Sequence, residues 1–216
     1  MCIRDSPIGV LNRCIKVTNE PPAGLKANLK RAWANFPKED IDETDSKTKG
    51  VLFGLCYFHA LMIERKLFGP MGFNMNYPFS IGDLRDSAAC LTNYLENASG
   101  GSKIPWEDLK YIFGEIMYGG HIVNDLDRLL SKTYLDHLMR DELLDEMQLF
   151  PFVSSGDGVS FYSPPSTTYE KYLEHIDRTL VVDTPMAFGL HPNAEIDFRT
   201  QQGETLFRPC LLYTSD

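Results

Sequence analysis

The sequence predicts a mainly α-helical bundle, with one short strand near the N-terminus and a looser α-helical segment towards the C-terminus. Two observations support this fold class. Apolar residues recur at helical spacing in several stretches, and capping residues, prolines and glycines mark where those stretches begin and end. With 216 residues, 43% of them hydrophobic and 24% charged, the chain has enough apolar surface for one good core or two small ones.

The first half of the chain is predicted to contain the strand and three helices. Residues 14–17 form the strand, and the pair of prolines that follows marks the start of the first helix. A second helix over residues 47–68 is apolar almost all round between residues 51 and 63, which is typical of a central helix. Ser80 and Asp83 resemble a capping box that opens the third helix. The apolar faces of the first and third helices are Leu25, Leu29, Trp33 and Phe36, and Leu84, Ala88, Leu91 and Leu95.

The second half is predicted to contain three more helices. One begins at Pro105 and stops at Gly119-Gly120, and the next is capped by Asn124. The acidic run at residues 136–146 extends that helix or begins a short successor. A turn-rich sequence places a boundary near residue 150, and a last helix is expected at residues 168–178. The inward residues are Trp106, Leu109, Ile112, Phe113 and Ile116 in the first of these helices, and Leu126, Leu130 and Tyr134 in the second.

Charge and cysteine content exclude several functional classes. The formal charge of −9 argues against a nucleic-acid partner, because such binding relies on clustered Lys and Arg. Five cysteines without CxxC spacing predict neither a disulfide framework nor a zinc cluster, and they fit a reducing, cytoplasmic compartment. The longest apolar run, residues 51–63, is shorter than the roughly 20 residues that span a bilayer, so no membrane association is expected.

Motifs for nucleotide, metal or hydrolytic chemistry are missing. The sequence contains no glycine-rich phosphate loop and no HExxH, GxSxG or GxGxxG string. Residues 40–51 begin like a calcium loop but lack the glycine and the final glutamate of that motif. We expect His59, which interrupts the apolar run, to be a buried hydrogen-bonded residue, and His121 to lie in a turn between helices. The sequence therefore predicts no catalytic, cofactor or metal site.

Several long strings, in the same order, resemble the dynein heavy-chain family over residues 7–208. They are IKVTNEPPAGLKANL at residues 15–29, FGLCYFHA at 53–60, ERKLFGPMGFN at 64–74, IPWEDLKYIFGEIMYGG at 104–120 and FGLHPNAEI at 188–196. In detail they look more like an axonemal chain, of the outer-arm β type, than a cytoplasmic one. The resemblance implies the helical lid of the sixth AAA+ module and the start of the C-terminal region that follows it.

The resemblance also implies an organisation of the chain. Residues 1–20 would hold a foreign-looking tail and the last strand of the AAA+ large subdomain, and residues 21–150 the lid. Residues 151–208 would begin the C-terminal region, and residues 209–216 would be a second foreign-looking tail. Arg85 occupies the place where active AAA+ lids offer a sensor arginine to the γ-phosphate. Because no phosphate loop accompanies it, we expect Arg85 to form a salt bridge or an inter-module contact.

The function implied by the resemblance is mechanical. The chain would be a structural segment, without its own catalytic site, of an ATP-driven, minus-end-directed microtubule motor in ciliary or flagellar axonemes. It would bind no cofactor, while ATP and magnesium would act in other modules of the parent. Its partners would be the neighbouring AAA+ modules and the C-terminal region, with intermediate chains, light chains and microtubules reached through the parent.

Two alternative functions remain open at this stage. The chain could be a stand-alone helical protein-interaction module that docks partners through the aromatic loop at residues 68–79. It could also be a small α-helical hydrolase built on His121 and neighbouring acids, although no motif supports that chemistry.

Overall fold

A computed structural model describes residues 9, 13–15, 23–97, 103–150, 160–180 and 184–213, with the backbone alone for residues 97, 205 and 208–213. Within these ranges the regular secondary structure is helical, apart from a single antiparallel bridge between Gln148 and Tyr162. The helices are α1 (Leu25–Trp33), α2 (Lys38–Glu43), α3 (Ser46–Arg65), α4 (Ile81–Asn97), α5 (Trp106–Tyr111), α6 (Asp125–Leu138), α7 (Tyr169–Thr179) and α8 (Asn193–Tyr213). Short 3-10 segments cover Lys66–Met71, Asp141–Leu144 and Pro185–Phe188, and a π-helical segment, Ile112–Met117, continues α5.

The predicted N-terminal strand is not found where the structure can be described. Cys14 and Ile15 are in no strand, and Ile15 is almost fully exposed. The other half of the prediction, Lys16 and Val17, lies outside the described residues.

Helix α3 is central to the bundle, as its apolar sequence predicts. The Asp45 side chain caps it by accepting a hydrogen bond from the backbone N–H of Lys47 at 3.2 Å. Every residue from Val51 to Met62 is buried, and α3 packs against α1, α4, α6 and the Asp141–Leu144 segment. Neighbours on all sides explain why this helix has no polar face.

Side chains from both sides of residue 150 contribute to one core. The Trp33 ring of α1 lies 4.6 Å from the Tyr172 ring of α7, and the Phe53 ring of α3 lies 5.1 Å from the same tyrosine. Phe161 is buried against Tyr57 and Phe53. The boundary near residue 150 stays a prediction, but the packing there is continuous.

The end of the central helix differs from its predicted position. The α-helix ends at Arg65 rather than Phe68, and the chain tightens into the Lys66–Met71 3-10 segment. Gly69 has a φ of 56°, a left-handed conformation that glycine adopts without steric cost. The chain therefore turns back sharply onto the bundle at this point.

Two residues predicted to face inward point outward instead. Ile116 is 54% exposed because it lies in the π-helical segment, whose wider turn moves the later side chains off the α-helical face. Leu126 is 68% exposed because Asp127 takes the inward position on α6 and is bound there by a neighbouring loop.

Helix α7 agrees with the prediction at residues 168–178, and the Ser80–Asp83 and Asn124 caps are confirmed. The acidic run produces both predicted outcomes, since α6 continues to Leu138 and a short 3-10 segment follows. Helix α8 and the 3-10 segment before it were not anticipated. Among the described side chains of α8, Ala194 alone is fully buried, so the helix lacks a strong apolar stripe.

Candidate functional site

The predicted site residue, Arg85, lies on the outer face of α4. Its Nε and Nη2 atoms donate hydrogen bonds to the Oδ1 atom of Asn35, at 3.0 and 2.6 Å. Asn35 follows the end of α1, so the contact joins the two helices at the surface. Within the described ranges Arg85 forms no ion pair. Its partner is therefore a neutral amide rather than the carboxylate that a salt bridge needs.

The N-terminus of the same helix holds a cluster of three polar side chains. The Ser80 backbone N–H donates to the Asp83 Oδ2 atom at 2.8 Å, and the Ser80 hydroxyl donates to it at 3.2 Å. His121 Nε2 lies 3.0 Å from the other oxygen, Oδ1. Partial burial opposes ionisation of Asp83, but the hydrogen bonds from Ser80 and His121 outweigh it and lower the pKa of this carboxyl.

This cluster does not have the arrangement of a hydrolytic site. In such sites a hydroxyl nucleophile contacts the histidine and the carboxylate orients the histidine from its far side. Here the Ser80 hydroxyl contacts the carboxylate, so Asp83 lies between serine and histidine. The acid nearest His121 in sequence, Asp125, is exposed, and Asp127 binds other partners. The cluster caps the N-terminus of α4. His121 lies in a turn between helices, as predicted.

His59 is buried and hydrogen-bonded, which confirms the prediction made for it. Its Nδ1 atom lies 2.8 Å from the Tyr118 hydroxyl, and its side chain is almost fully excluded from solvent. Burial is the main cause that lowers the pKa of His59 to about 4, so the imidazole is neutral at pH 7. Burial likewise raises the pKa of the Tyr118 hydroxyl. This pair fixes the end of the π-helical segment against α3 and has no access for a substrate.

The aromatic loop at residues 68–79 packs inward. Phe73, Tyr77 and Phe79 are buried, with ring centroids between 5.7 and 6.0 Å apart. Asp127 of α6 anchors the loop, since it accepts hydrogen bonds from the Asn74 backbone N–H at 3.0 Å and the Tyr77 hydroxyl at 2.7 Å. Three of the four aromatic rings that would have formed a docking surface are therefore already part of the core.

Two buried charges at the end of α3 were missed by the sequence interpretation. Glu64 accepts hydrogen bonds from the Gly24 backbone N–H at 3.0 Å and from the Asn28 side-chain amide, at the N-terminus of α1. A carboxylate is favoured there by the helix dipole and the free N–H groups. Arg65 reaches the backbone of two loops and the hydroxyl of Tyr134. The signal was present in the sequence as two adjacent charges at the end of an apolar helix.

A groove of about 480 Å³ lies beside α8, and its described lining, Leu67, Phe198, Gln201, Gln202 and Leu206, contains no basic side chain. Across the residues that the structure covers, no group of three or more His, Cys, Asp or Glu side chains is placed to hold a metal ion. None of the helices within those ranges is long and apolar enough to cross a membrane.

Comparison with known proteins identifies the helical unit. Residues 48–194 match the family model of the dynein heavy chain AAA lid domain. The chain is 47% identical over 205 residues to a ciliary dynein beta chain of Tripneustes gratilla, covering 94% of this chain and 4% of the relative. It is also 47% identical to a flagellar outer-arm dynein beta chain of Chlamydomonas reinhardtii, covering 94% and 4%. The same identity is found with dynein axonemal heavy chain 9 of Homo sapiens, covering 95% and 4%.

The chain thus spans about 4% of the length of these relatives. All but the first two residues of the central helix, the buried charges at its end and the segment that carries Arg85 fall inside the matched region. The extent of the family match and the identity over nearly the whole chain together show that this protein belongs to the dynein heavy chains and contains their AAA lid domain.

Proposed function

We propose that this chain is a structural and mechanical segment of an axonemal dynein heavy chain, of the outer-arm β type. It comprises the lid of the sixth AAA+ module and the start of the C-terminal region. The parent is an ATP-driven, minus-end-directed microtubule motor of cilia or flagella, located in the axonemal cytoskeleton. The named relatives are ciliary, flagellar and axonemal dynein chains, which supports this assignment.

One observation supports the mechanical role above all. The described part of the matched region contributes to one continuous core, in which α1, α3 and α7 share the Trp33, Phe53 and Tyr172 rings. A close-packed unit of this kind moves as a rigid body, because packed interfaces shift between discrete arrangements rather than deforming smoothly. The lid transmits displacements between its neighbours in the ring without changing its own fold.

The segment contributes no nucleotide chemistry under this proposal. ATP and magnesium act in other modules of the parent, and Arg85 serves as an inter-module contact instead of a phosphate sensor. The hydrogen bond of Arg85 to a neutral amide at the surface supports this role. An exposed guanidinium of this kind exchanges its amide partner for a carboxylate of a neighbouring module at little cost in free energy, since surface polar contacts contribute about 0–1 kcal/mol.

The partners are, first, other parts of the same heavy chain: the adjoining AAA+ modules and the C-terminal region. Intermediate chains, light chains and microtubules are engaged through the parent motor. The alternative of a stand-alone interaction module is weakened, because the Phe73, Tyr77 and Phe79 rings that would have docked partners are buried. Sequencing of the flanking gene separates the two proposals, since ring modules upstream support the motor and an in-frame stop upstream supports the module.

The direct test uses Arg85→Ala, with Arg31→Ala as the matched control because Arg31 is also an exposed arginine. In the pure 216-residue chain we expect no ATP turnover and no ATP binding. In the parent heavy chain we expect Arg85→Ala to slow microtubule gliding while ATP affinity stays unchanged, and Arg31→Ala to alter neither. Turnover by the pure chain that Arg85→Ala abolishes would overturn the proposal, as would gliding that is equally insensitive to both variants.

A further inference from the structure

The strongest unexplained feature is a buried arginine whose described partners are all neutral. Arg65, the last residue of α3, is 6% exposed and forms no ion pair within the described part of the chain. Its Nε atom donates to the Gly72 carbonyl at 2.8 Å, and its Nη1 atom donates to the Tyr134 hydroxyl and the Phe188 carbonyl. Tyr134 donates its own hydrogen to the same Phe188 carbonyl at 2.6 Å.

Burial of a charge in this position carries a free-energy cost. Removing a guanidinium from water carries a large desolvation penalty, and here the compensation comes from hydrogen bonds, from the charge of Asp127 and from the Tyr134 ring, 5.3 Å from the guanidinium carbon. Hydrogen bonds from a charged donor are about twice as strong as neutral ones. A charged donor from α3 and a hydroxyl donor from α6 converge on one carbonyl oxygen.

That carbonyl belongs to a segment whose near end is buried in the bundle, at Pro185, Ala187 and Phe188, and whose far end is largely exposed. We define the C-terminal strap as residues 184–204, which comprise the Pro185–Phe188 segment and the first half of α8. Gly189 follows at once with a φ of 66° and turns the chain towards α8. Beyond Ala194 the described side chains of α8 are half-buried or exposed. The position of the strap thus depends on the short stretch around Phe188.

Arg65 also fixes the segment against which the strap packs. Its bond to the Gly72 carbonyl closes the Lys66–Met71 segment, which carries Phe68. The Phe68 ring lies 5.4 Å from Phe188 and 5.1 Å from Phe198 of the strap. One guanidinium therefore fixes both the strap and the aromatic platform on which it rests.

We propose that Arg65 and Tyr134 form a clamp on the Phe188 carbonyl, and that release of this clamp frees the C-terminal strap as a unit while the rest of the bundle stays folded. The clamp thus controls whether the strap stays attached to the bundle. The proposal concerns this chain alone and stands whether or not the mechanical role in a motor is correct.

Amide hydrogen exchange of the intact 216-residue chain tests the clamp. Tyr134→Phe removes the hydroxyl and keeps the ring, and Arg65→Lys keeps the charge but cannot span all three acceptors. We expect each to raise the opening equilibrium of residues 187–200 by about 10-fold or more, the factor that loss of a hydrogen bond within a charged network implies. Exchange at residues 51–62 of α3 should stay within about 2-fold of wild type, since foldons open separately.

Tyr118→Phe is the matched control, because it removes another buried tyrosine hydroxyl, the one that bonds His59. It should leave exchange in the strap unchanged relative to α3. Equal acceleration in the strap and in α3 by Tyr134→Phe would overturn the proposal, as would no acceleration in either region or selective acceleration of the strap by Tyr118→Phe. If Arg65→Lys does not fold, the comparison between the two tyrosine variants decides alone.

Discussion

Phe161→Ala tests whether the residues beyond position 150 are part of the same cooperative unit as the central helix. The Phe161 ring is fully buried. Its centroid lies 6.4 Å from Phe53 and 5.7 Å from Tyr57, both of α3, and it also contacts Phe150 at 5.9 Å and His175 at 5.6 Å. The substitution removes a side chain that touches both the early and the late parts of the chain.

The expected loss of stability is large. A buried Phe→Ala change costs about 3–5 kcal/mol, from lost transfer free energy and from the cavity left behind. The free energy of unfolding of a domain is typically only about 5–15 kcal/mol. With a loss of about 4 kcal/mol and an m value of about 2 kcal/mol/M, the urea midpoint should fall by about 2 M.

Urea unfolding followed by two probes measures this effect. Far-UV circular dichroism reports all helices, and Trp33 fluorescence in a Trp106→Phe background reports the contact between α1 and α7. Tyr162→Ala is the control, since Tyr162 is the next residue but is 49% exposed. It should change the free energy of unfolding by no more than about 0.5 kcal/mol. A shift below about 0.5 M for Phe161→Ala, or different midpoints from the two probes, would refute one continuous core.

Two further predictions concern the interior. Burial keeps the folded-state pKa of His59 at about 4, below an unfolded value near 6.5, so stability should be lost as pH falls through this window. Between pH 6.5 and 5 the wild type should lose about 1.6 kcal/mol more than His59→Gln, since the slope rises from about half of 1.4 kcal/mol per pH unit at pH 6.5 towards about 1.4 kcal/mol per pH unit below it, and urea titrations at the two pH values measure this loss; parallel losses would contradict a buried neutral imidazole. A Cβ at Gly119 would lie 2.1 Å from the Gly114 carbonyl oxygen, whereas one at Gly203 would meet nothing within 4 Å. Gly119→Ala should therefore lower the free energy of unfolding by about 1–3 kcal/mol, and Gly203→Ala should raise it by about 0.5–1 kcal/mol; thermal melts that rank the two variants in the reverse order would sink the argument.

Local signals in the sequence were sufficient wherever one side chain determines one backbone feature. Asn124 caps α6 because its side-chain oxygen accepts from the Leu126 N–H at 2.9 Å, and Ser80 with Asp83 opens α4 in the same way. The central position of α3 followed from composition alone, since a helix without a polar face must be surrounded.

The remaining features depend on contacts between distant parts of the chain. Leu126 points outward because Asp127, one position later, is held by Asn74 and Tyr77, and no periodicity within α6 encodes that demand. Ile116 is exposed because the preceding turn is π-helical. Two of the partners of Arg65 lie 69 and 123 residues away, so the local pattern of two adjacent charges can draw attention to this residue but cannot identify those partners.

The candidate site likewise combines features that local sequence predicts with features that depend on distant contacts. The residue type and helix of Arg85 were identified by family resemblance, but its partner, Asn35, lies 50 residues away. Composition argued against a broad nucleic-acid surface without any structure. Composition could not show that three aromatic rings of the loop are buried in the core, because aromatic side chains are common both in cores and in docking surfaces.

The all-round burial of α3 also has a consequence for synthesis on the ribosome. Phe53 finds one ring partner, Trp33, before it in the chain and two more, Phe161 and Tyr172, more than 100 residues after it. At about 5–20 residues per second, the interval before those later partners are made is roughly 5–20 s. During that time a helix with no polar face is in the cytosol with one flank uncovered. A truncated nascent chain ending near residue 150 should therefore recruit chaperones more strongly than one that extends past α7.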